Sequence, residues 1–413
     1  MQAALSMQSL TFDPADARAA LAQLPHAAAV FALYGAEAHA EPYIGRTPNL
    51  RARLERLLIP SEKHPRRLQL AGRVRRIEWR LTGSEFESLL LQFGLLQKVY
   101  GTKSLERMHL RAPAFVRFLG SNAYPRVVVT HRPSLREADW SYGPFASRAA
   151  AERYVDEALK LFLLRRCIDD LHPDPSHPGC VYSEMKMCLA PCYKGCTDQR
   201  YAEEAVAVEG FLATRGETRL VTLRTERQAA AAALEFEAAA ALHAHVQRVE
   251  SVRALAPELV RPVSRLRAVI LQAAAEPDSV AVFSFDGGRL SGPALFSTLG
   301  MRIQNEQSGS SSLFAQPVAV EAVPENPTPV SAPRPARAVL EERMEAVLAE
   351  LAAEPSAPSP TERQGHMALL KRWYYRPEAR RVGEIFFPDA EDRWPIKALL
   401  RGVGRVAARP LQA

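Results

Sequence analysis

The sequence predicts an α+β multidomain chain: a small β-β-α-β-α domain, a cysteine-rich helical region, a helical hairpin, a Pro-rich linker and a small C-terminal module. Three observations predict it. At 413 residues the chain exceeds one ordinary domain. Strand-like and helix-period segments alternate over the first hundred residues and later give way to long helical runs. Four of the five cysteines crowd between Cys180 and Cys196, too few and too odd in number for a disulfide framework and better suited to a metal or cluster site. The composition, 47% hydrophobic and 24% charged with 31 prolines, is that of a globular protein with a local linker. No run of about 18 apolar residues occurs and the N-terminus lacks the basic and apolar regions of a signal peptide, so a cytoplasmic protein without membrane attachment is expected.

The first domain, 18–111, opens with the strand-like AAVFALYG, a polar tip at 36–41 and a second short strand from Pro42 to Gly45. Asn49 is placed to cap a helix in which Leu50, Leu54, Leu57 and Leu58 recur at helical spacing. RVRRIEWRLTG reads as a third strand, its Val74, Ile77 and Trp79 mostly alternating with arginines. Ser84 to Tyr100 is a helix, with Glu87 three residues after the cap-like Ser84 as in a capping box. The cysteine-rich region, 145–200, begins with a helix from Ser147 to Arg166 and runs on through the loop LHPDPSHPGC. A short helix over 201–214 follows. From 217 to 255 strong helix formers continue unbroken and are expected to fold back as a hairpin. The 265–304 segment is strand-like around an Asp286-Gly287-Gly288 turn. The Pro/Ser/Ala-rich linker, 305–360, has a helical interlude at Arg337 to Ala353. In the C-terminal module, 361–413, His366, Trp373, Tyr374 and Tyr375 read as a small hydrophobic cluster, with base stacking the alternative. LRGVGRVAA, Leu400 to Ala408, has the GxG text of a turn between two helices, with almost no chain left for the second.

The net charge is +7, and its placement matters more than its size. From Arg46 to Arg80 eleven Lys/Arg face three Glu, a local balance of +8 that exceeds the whole chain's. Arg46, Arg51, Arg53, Arg73, Arg75 and Arg76 lie in this window. Focused positive charge of this kind is the footprint of a phosphate-backbone partner, a solvated basic face being the alternative.

PYIGRTPNLRARL, Pro42 to Leu54, resembles the YIG half of the GIY-YIG nuclease domain in the UvrC/Cho-like family of excinuclease ABC proteins, with Ala29 to Leu33 as the GIY half. Such a domain hydrolyses a phosphodiester with one divalent cation, magnesium or manganese. The resemblance gives Tyr43 the tyrosine role, Arg53 that of the arginine offsetting transition-state charge, and Arg46 a phosphate-gripping place where the family usually has lysine. Phe31 falls in the slot of the other tyrosine and Gln92 in that of the metal-binding glutamate. Phenylalanine has no proton to exchange, and glutamine offers a hard cation one neutral carbonyl. A crippled or absent nuclease is therefore expected, unless a shifted register brings Glu85 or Glu87 to the metal. Ser104 lies near the family's asparagine.

Phe162 to Cys167 (FLLRRC) and GCVYSEMKMCLAPCYKGC resemble the cysteine-rich region of the same family. Four thiolates at Cys167, Cys180, Cys188 and Cys192 suit zinc or an iron-sulfur cluster, and the spacing does not choose. The resemblance favours a cluster of the 4Fe-4S type. Cys196 has no counterpart and reads as a free cysteine. ALEFEAAAALHAHV, Ala233 to Val246, resembles the UVR motif shared by UvrB and UvrC proteins, a hairpin that pairs with the same motif in its partner, here through Leu234, Phe236, Ala239 and Ala240. Internal packing is the alternative. The resemblance thus implies a nucleotide-excision-repair protein that binds damaged duplex DNA beside a UvrB-type helicase subunit, with doubtful incision of its own. The rival readings are an active single-incision, Cho-like endonuclease, a non-catalytic adaptor or competitor of a true UvrC, and a zinc-bound nucleic-acid module unrelated to repair.

Overall fold

Local capping sets where two helices of the first hundred residues start. Asn49 and Ser84 both hold extended backbone and accept from the N–H three residues on, Ala52 and Glu87. The computed structural model describes residues 7–37, 40–59, 70, 72–133, 138–168, 170–299, 301, 336–353 and 358–408. Three four-stranded sheets organise them.

The first unit comprises β1 (Gln8–Thr11), α1 (Ala17–Ala22), β2 (Ala29–Gly35), β3 (Tyr43–Thr47), α2 (Leu50–Leu58), β4 (Val74–Leu81), α3 (Glu85–Tyr100) and α4 (Ser104–Arg107). The sheet runs β1-β4-β2-β3, so the two expected hairpin strands lie at one edge and an added N-terminal strand closes the other. One face, with Phe31, Leu33 and Ile77, buries the leucines of α2. The opposite face presents Val30 and Ile44 to Leu91 and Leu95 of α3. Val74 and Ile77 both turn inward although three residues apart, because the pairing of β2 with β4 shifts register at Tyr34/Gly35.

Residues 112–144, to which the periodicity assigns little, supply β5 (Ala114–Phe118), β6 (Val127–Thr130) and most of β7 (Ser141–Phe145). Next come α5 (Arg148–Leu159), α6 (Val181–Glu184), α7 (Asp198–Thr214), α8 (Glu217–Ala232), α9 (Phe236–Ala254) and β8 (Arg261–Pro262), which joins this second sheet at its β7 edge. The expected helix to Arg166 stops at Leu159. Phe162 and Leu164 are buried beyond it, and the N–H of Leu163 donates to Glu204 Oε1 at 2.7 Å, bonds that an unwound strand makes and a continuing helix would not.

The third sheet is built by β9 (Ala268–Ala273), β10 (Ser279–Asp286) and β11 (Arg289–Ser297), the last two joined through the Gly287-Gly288 turn with both glycines at positive φ. Against it pack α10 (Ala336–Ala352), α11 (Pro360–Tyr374) and α12 (Ile396–Ala408), and β12 (Glu384–Phe386) pairs with β9. The 265–304 segment and the C-terminal module therefore share this sheet: α11 covers the face of Ile270 and Phe283, and α12 covers the face of Val269 and Leu271 together with Met344, Leu348 and Leu351 of the helical interlude. The rest of the expected linker, 305–335 and 354–357, lies outside the described residues. The GxG text is no turn: Gly402 and Gly404 sit inside α12, where Gly402 admits the ring of Phe386. His366 and Trp373 of α11 are buried, Trp373 in the cluster on the Ile270 face, as a hydrophobic cluster requires. No helix among the described residues is long and apolar enough to cross a membrane.

Candidate functional site

Register decides which residues of edge strand β3 can cooperate. Tyr43 pairs with Leu33 and Gly45 with Phe31, so Tyr43 shares a face with Phe31, whereas Arg46, paired with Val30, points to the other. On the first face Arg53 of α2 donates from Nη2 to Tyr43 Oη at 3.4 Å, and the Tyr43 ring lies 6.1 Å from that of the fully buried Phe31. On the second face Arg46 meets Glu85 at 3.4 Å. Arg376, just past α11, grips the same carboxylate through both oxygens at 2.8 and 2.9 Å. These bonds hold the Glu85 carboxyl below its usual range, the Arg376 hydrogen bonds most, then the charges of Arg376, Arg46 and Arg372.

Glu87 turns back over the helix start and accepts from the Gly83 N–H at 2.9 Å. It is buried, and burial pushes its pKa up to about 7 against the lowering effects of Gly83 and Arg80. Gln92 stands half-buried in the middle of α3, between Leu91 and Leu95 in sequence. Ser104 is buried and donates to Gly101 O at 2.7 Å. Tyr43, Arg53 and Phe31 are thus brought together, while Arg46 and Glu85 join Arg376 in a network on the far side of the strand and Glu87 is spent on the Gly83 N–H. The Glu85–Arg376 link spans 291 positions, and no local signal in the sequence announces it.

In the basic window Arg51 is anchored to Leu24 O at 2.6 Å. Arg76 stacks over the Tyr34 ring at 4.3 Å and meets Glu78 at 3.2 Å. Arg73 and Arg75 are exposed at the start of β4. Lys63, Arg66 and Arg67 lie outside the described residues.

Cys167, Cys180, Cys188 and Cys192 line one small cavity with Arg165 and Arg166. Cys180 stands at the N-cap of α6, where its N–H meets Ser183 Oγ at 2.9 Å. Left-handed residues at Ala190 and Lys194 bend the chain around Cys192. Burial raises the Cys188 and Cys192 thiols, and the other thiols of the group raise them further. As they stand, no three Cys, His, Asp or Glu among the described residues are gathered closely enough to grip an ion, so a metal would draw these thiols inward. The donor set fits a soft metal or cluster: four sulfurs, two adjacent guanidinium groups to offset thiolate charge, and an Arg166 Nε buried without an acceptor among the described residues. Cys196 is not in the lining and packs against the second unit's core.

The α8–α9 hairpin is rooted by Leu220, Leu223, Val246, Val249 and Val252 in that same core. Its tip is bare. Leu234, at positive φ in the turn, is 71% exposed, Phe236 is 69% exposed, Ala240 is exposed and Ala239 half-buried.

Residues 115–211, which hold β5 to β7, α5, the cysteines and most of α7, match the family model "UvrC/Cho excinuclease, middle domain". The chain is also similar to curated proteins named UvrABC system protein C. That of Alcanivorax borkumensis is 30% identical over 211 residues, covering 51% of this chain and 34% of that protein. That of Aliivibrio salmonicida is 28% identical over 244 residues, 58% and 39% of the two chains, and that of Rhodospirillum rubrum 26% over 279 residues, 68% and 43%. The chain therefore spans about two fifths or less of the first two relatives' length. No solved structure matches it.

Proposed function

Through its middle domain the chain is a relative of the UvrC/Cho excinucleases, and on that footing we propose that it is a DNA-binding protein of nucleotide excision repair, acting on damaged duplex beside a UvrB-type subunit, with weak or lost incision of its own. The observation that carries the last clause is the commitment of both carboxylates that open α3. Glu85 is held by Arg376 and Arg46, Glu87 is buried on the Gly83 N–H, and neither is free to take a magnesium or manganese ion. With Gln92 in the glutamate slot and Phe31 in the tyrosine slot, Tyr43 and Arg53 persist as a phosphate-gripping pair, Arg46 being turned to the other face, without the half that holds metal and activates water. Losing a metal or oxyanion-stabilising group typically costs a factor of about a hundred or more. The exposed Leu234 and Phe236 support docking of the partner's matching hairpin, and the four-thiol cavity supports an iron-sulfur cluster, with zinc the other occupant of the same donors.

The test is metal-dependent cleavage of nicked or damaged duplex by the purified protein. We expect little or none from the native chain and measurable cleavage from Gln92→Glu combined with Phe31→Tyr. A second reading, a working single-incision nuclease, is favoured by the Arg53–Tyr43 contact. Robust native cleavage abolished by Glu87→Gln or Glu85→Gln would establish it in place of the first. A chain that binds DNA and the partner, cuts nothing and gains no activity from the double substitution is the non-catalytic adaptor.

A further inference from the structure

Where the hairpin roots into the second unit, the end of α5 and the flanks of α8 and α9 enclose a cavity. Its lining is Lys160, Leu161, Arg219, Leu223, His245, Arg248 and Val249. Four of the seven carry basic groups, three are apolar, and none is acidic. Among the described residues the guanidinium groups of Arg219 and Arg248 are engaged in no ion pair or hydrogen bond. Glu157, one turn back on α5, takes Lys160 at 2.6 Å, and its carboxyl is held down by that bond first and by the charges of Lys160, Arg248 and Arg153 after it. Of the three permanent cations in the lining, Lys160 and Arg248 act on this carboxylate and Arg219 does not.

We infer that this cavity seats a phosphate of the nucleic-acid backbone, a second DNA footing separate from the Arg46–Arg80 surface. Leu223 and Val249 are buried in the core and fix the backbone that carries Arg219, His245 and Arg248, so the spacing of their Cα atoms is set before any ligand arrives. Two guanidinium forks with no carboxylate in hydrogen-bond contact keep their donors for an anion whose oxygens they match in pairs. An anion relieves the mutual repulsion of the rim. The apolar floor of Leu161, Leu223 and Val249 suits the sugar beside a phosphate rather than a second charge. Arg219, His245 and Arg248 stay exposed, so a lone phosphate ion would be held weakly, whereas a polyanion adds contacts beyond the rim. The inference rests on reading the chain as a DNA-binding protein, and it adds a site that the reading does not contain.

The experiment measures binding of the full chain to nicked duplex across a salt series. It compares the native protein with Arg219→Ala/Arg248→Ala, the charge-keeping Arg219→Lys/Arg248→Lys, and Arg73→Ala/Arg75→Ala/Arg76→Ala. Each protein is checked by circular dichroism, and binding of a UvrB-type partner is measured in parallel. The alanine pair should flatten the slope of log affinity against log salt by about 0.9 per lost contact, and the lysine pair should recover most of it. Inorganic phosphate at constant ionic strength should compete poorly. Competition by phosphate alone as strong as that of DNA would replace the backbone site by a free-phosphate site. An unchanged slope in the alanine pair, with flattening in the Arg73/Arg75/Arg76 variant, overturns the inference and leaves the DNA reading standing. Loss of partner binding with an unchanged slope makes the cavity a seat for an acidic protein. A native chain with no salt-dependent DNA binding overturns the inference and the underlying reading together.

Discussion

The ring of Phe31 lies against the Cα of Gly45, its partner across the strand pair, so closely that a Cβ at position 45 would stand 2.7 Å from Phe31 Cζ. Gly45 thus serves packing in this chain: it leaves room for the buried ring of Phe31. Gly45→Ala should overpack that contact and cost about 1–3 kcal/mol in denaturant unfolding. A variant of native stability would mean that β3 slides outward freely at its edge.

What was legible in the sequence was local. The Asn49 and Ser84 caps, the Gly287-Gly288 turn and the helical hairpin each depend on residues within a few positions of one another, and each falls where its text lies. What was hidden depends on distance. The strands of 112–144 are short and irregularly patterned, β7 gaining its partners from β5 and from β8 more than a hundred residues later. Arg376 gives its rival claim on Glu85 no sequence mark, so the glutamates could be weighed as metal ligands or caps but not as ion-pair partners of the C-terminal module. The separation of Arg46 from Tyr43 follows from strand alternation and was open to inference, since the two residues are three apart and so point to opposite faces.

Glu87 makes stability depend on pH in a direction opposite to most carboxylates. Its pKa rises from 4.5 to about 7 on folding, so the folded state binds the proton more tightly and stability falls as pH rises through that window. At 1.36 kcal/mol for each pH unit between the two values, the loss is on the order of 3 kcal/mol. Glu87→Gln keeps an acceptor for the Gly83 N–H and removes the titration. Its melting temperature relative to native should climb between about pH 5 and about pH 8. Parallel melting curves at both values would show that Glu87 ionises without penalty.

The thiol cavity predicts a visible property. Protein purified without oxygen should be brown, lose colour and iron in Cys188→Ser and Cys192→Ser, and keep both in Cys196→Ser, because that thiol lies outside the lining. Stoichiometric zinc without iron would put zinc on the same four sulfurs. Metal retained by Cys188→Ser but lost by Cys196→Ser would redraw the ligand set.

At the hairpin tip, stability and binding should separate. Phe236 is 69% exposed, so Phe236→Ala should leave unfolding within about 0.5 kcal/mol of native. Capture of a UvrB-type partner should fall by roughly 30-fold or more, as for an aromatic anchor. A variant that melts early with binding intact would mark Phe236 as internal packing.

The position of β12 has a consequence for the newborn chain. Its partner β9 is finished at Ala273, but β12 begins only at Glu384. At ribosomal speeds of about 5–20 residues per second, one edge of β9 waits on the order of ten seconds for its neighbour. Throughout that interval Val269, Ile270 and Leu271, fully buried in the finished protein, present an apolar strand with unpaired amides. Synthesis, rather than the completed fold, is then the stage at which this protein is most exposed to mispairing. A chaperone that shields the segment from 268 to 273 should raise the yield of folded chain, and slowing elongation beyond Ala273 should lower it.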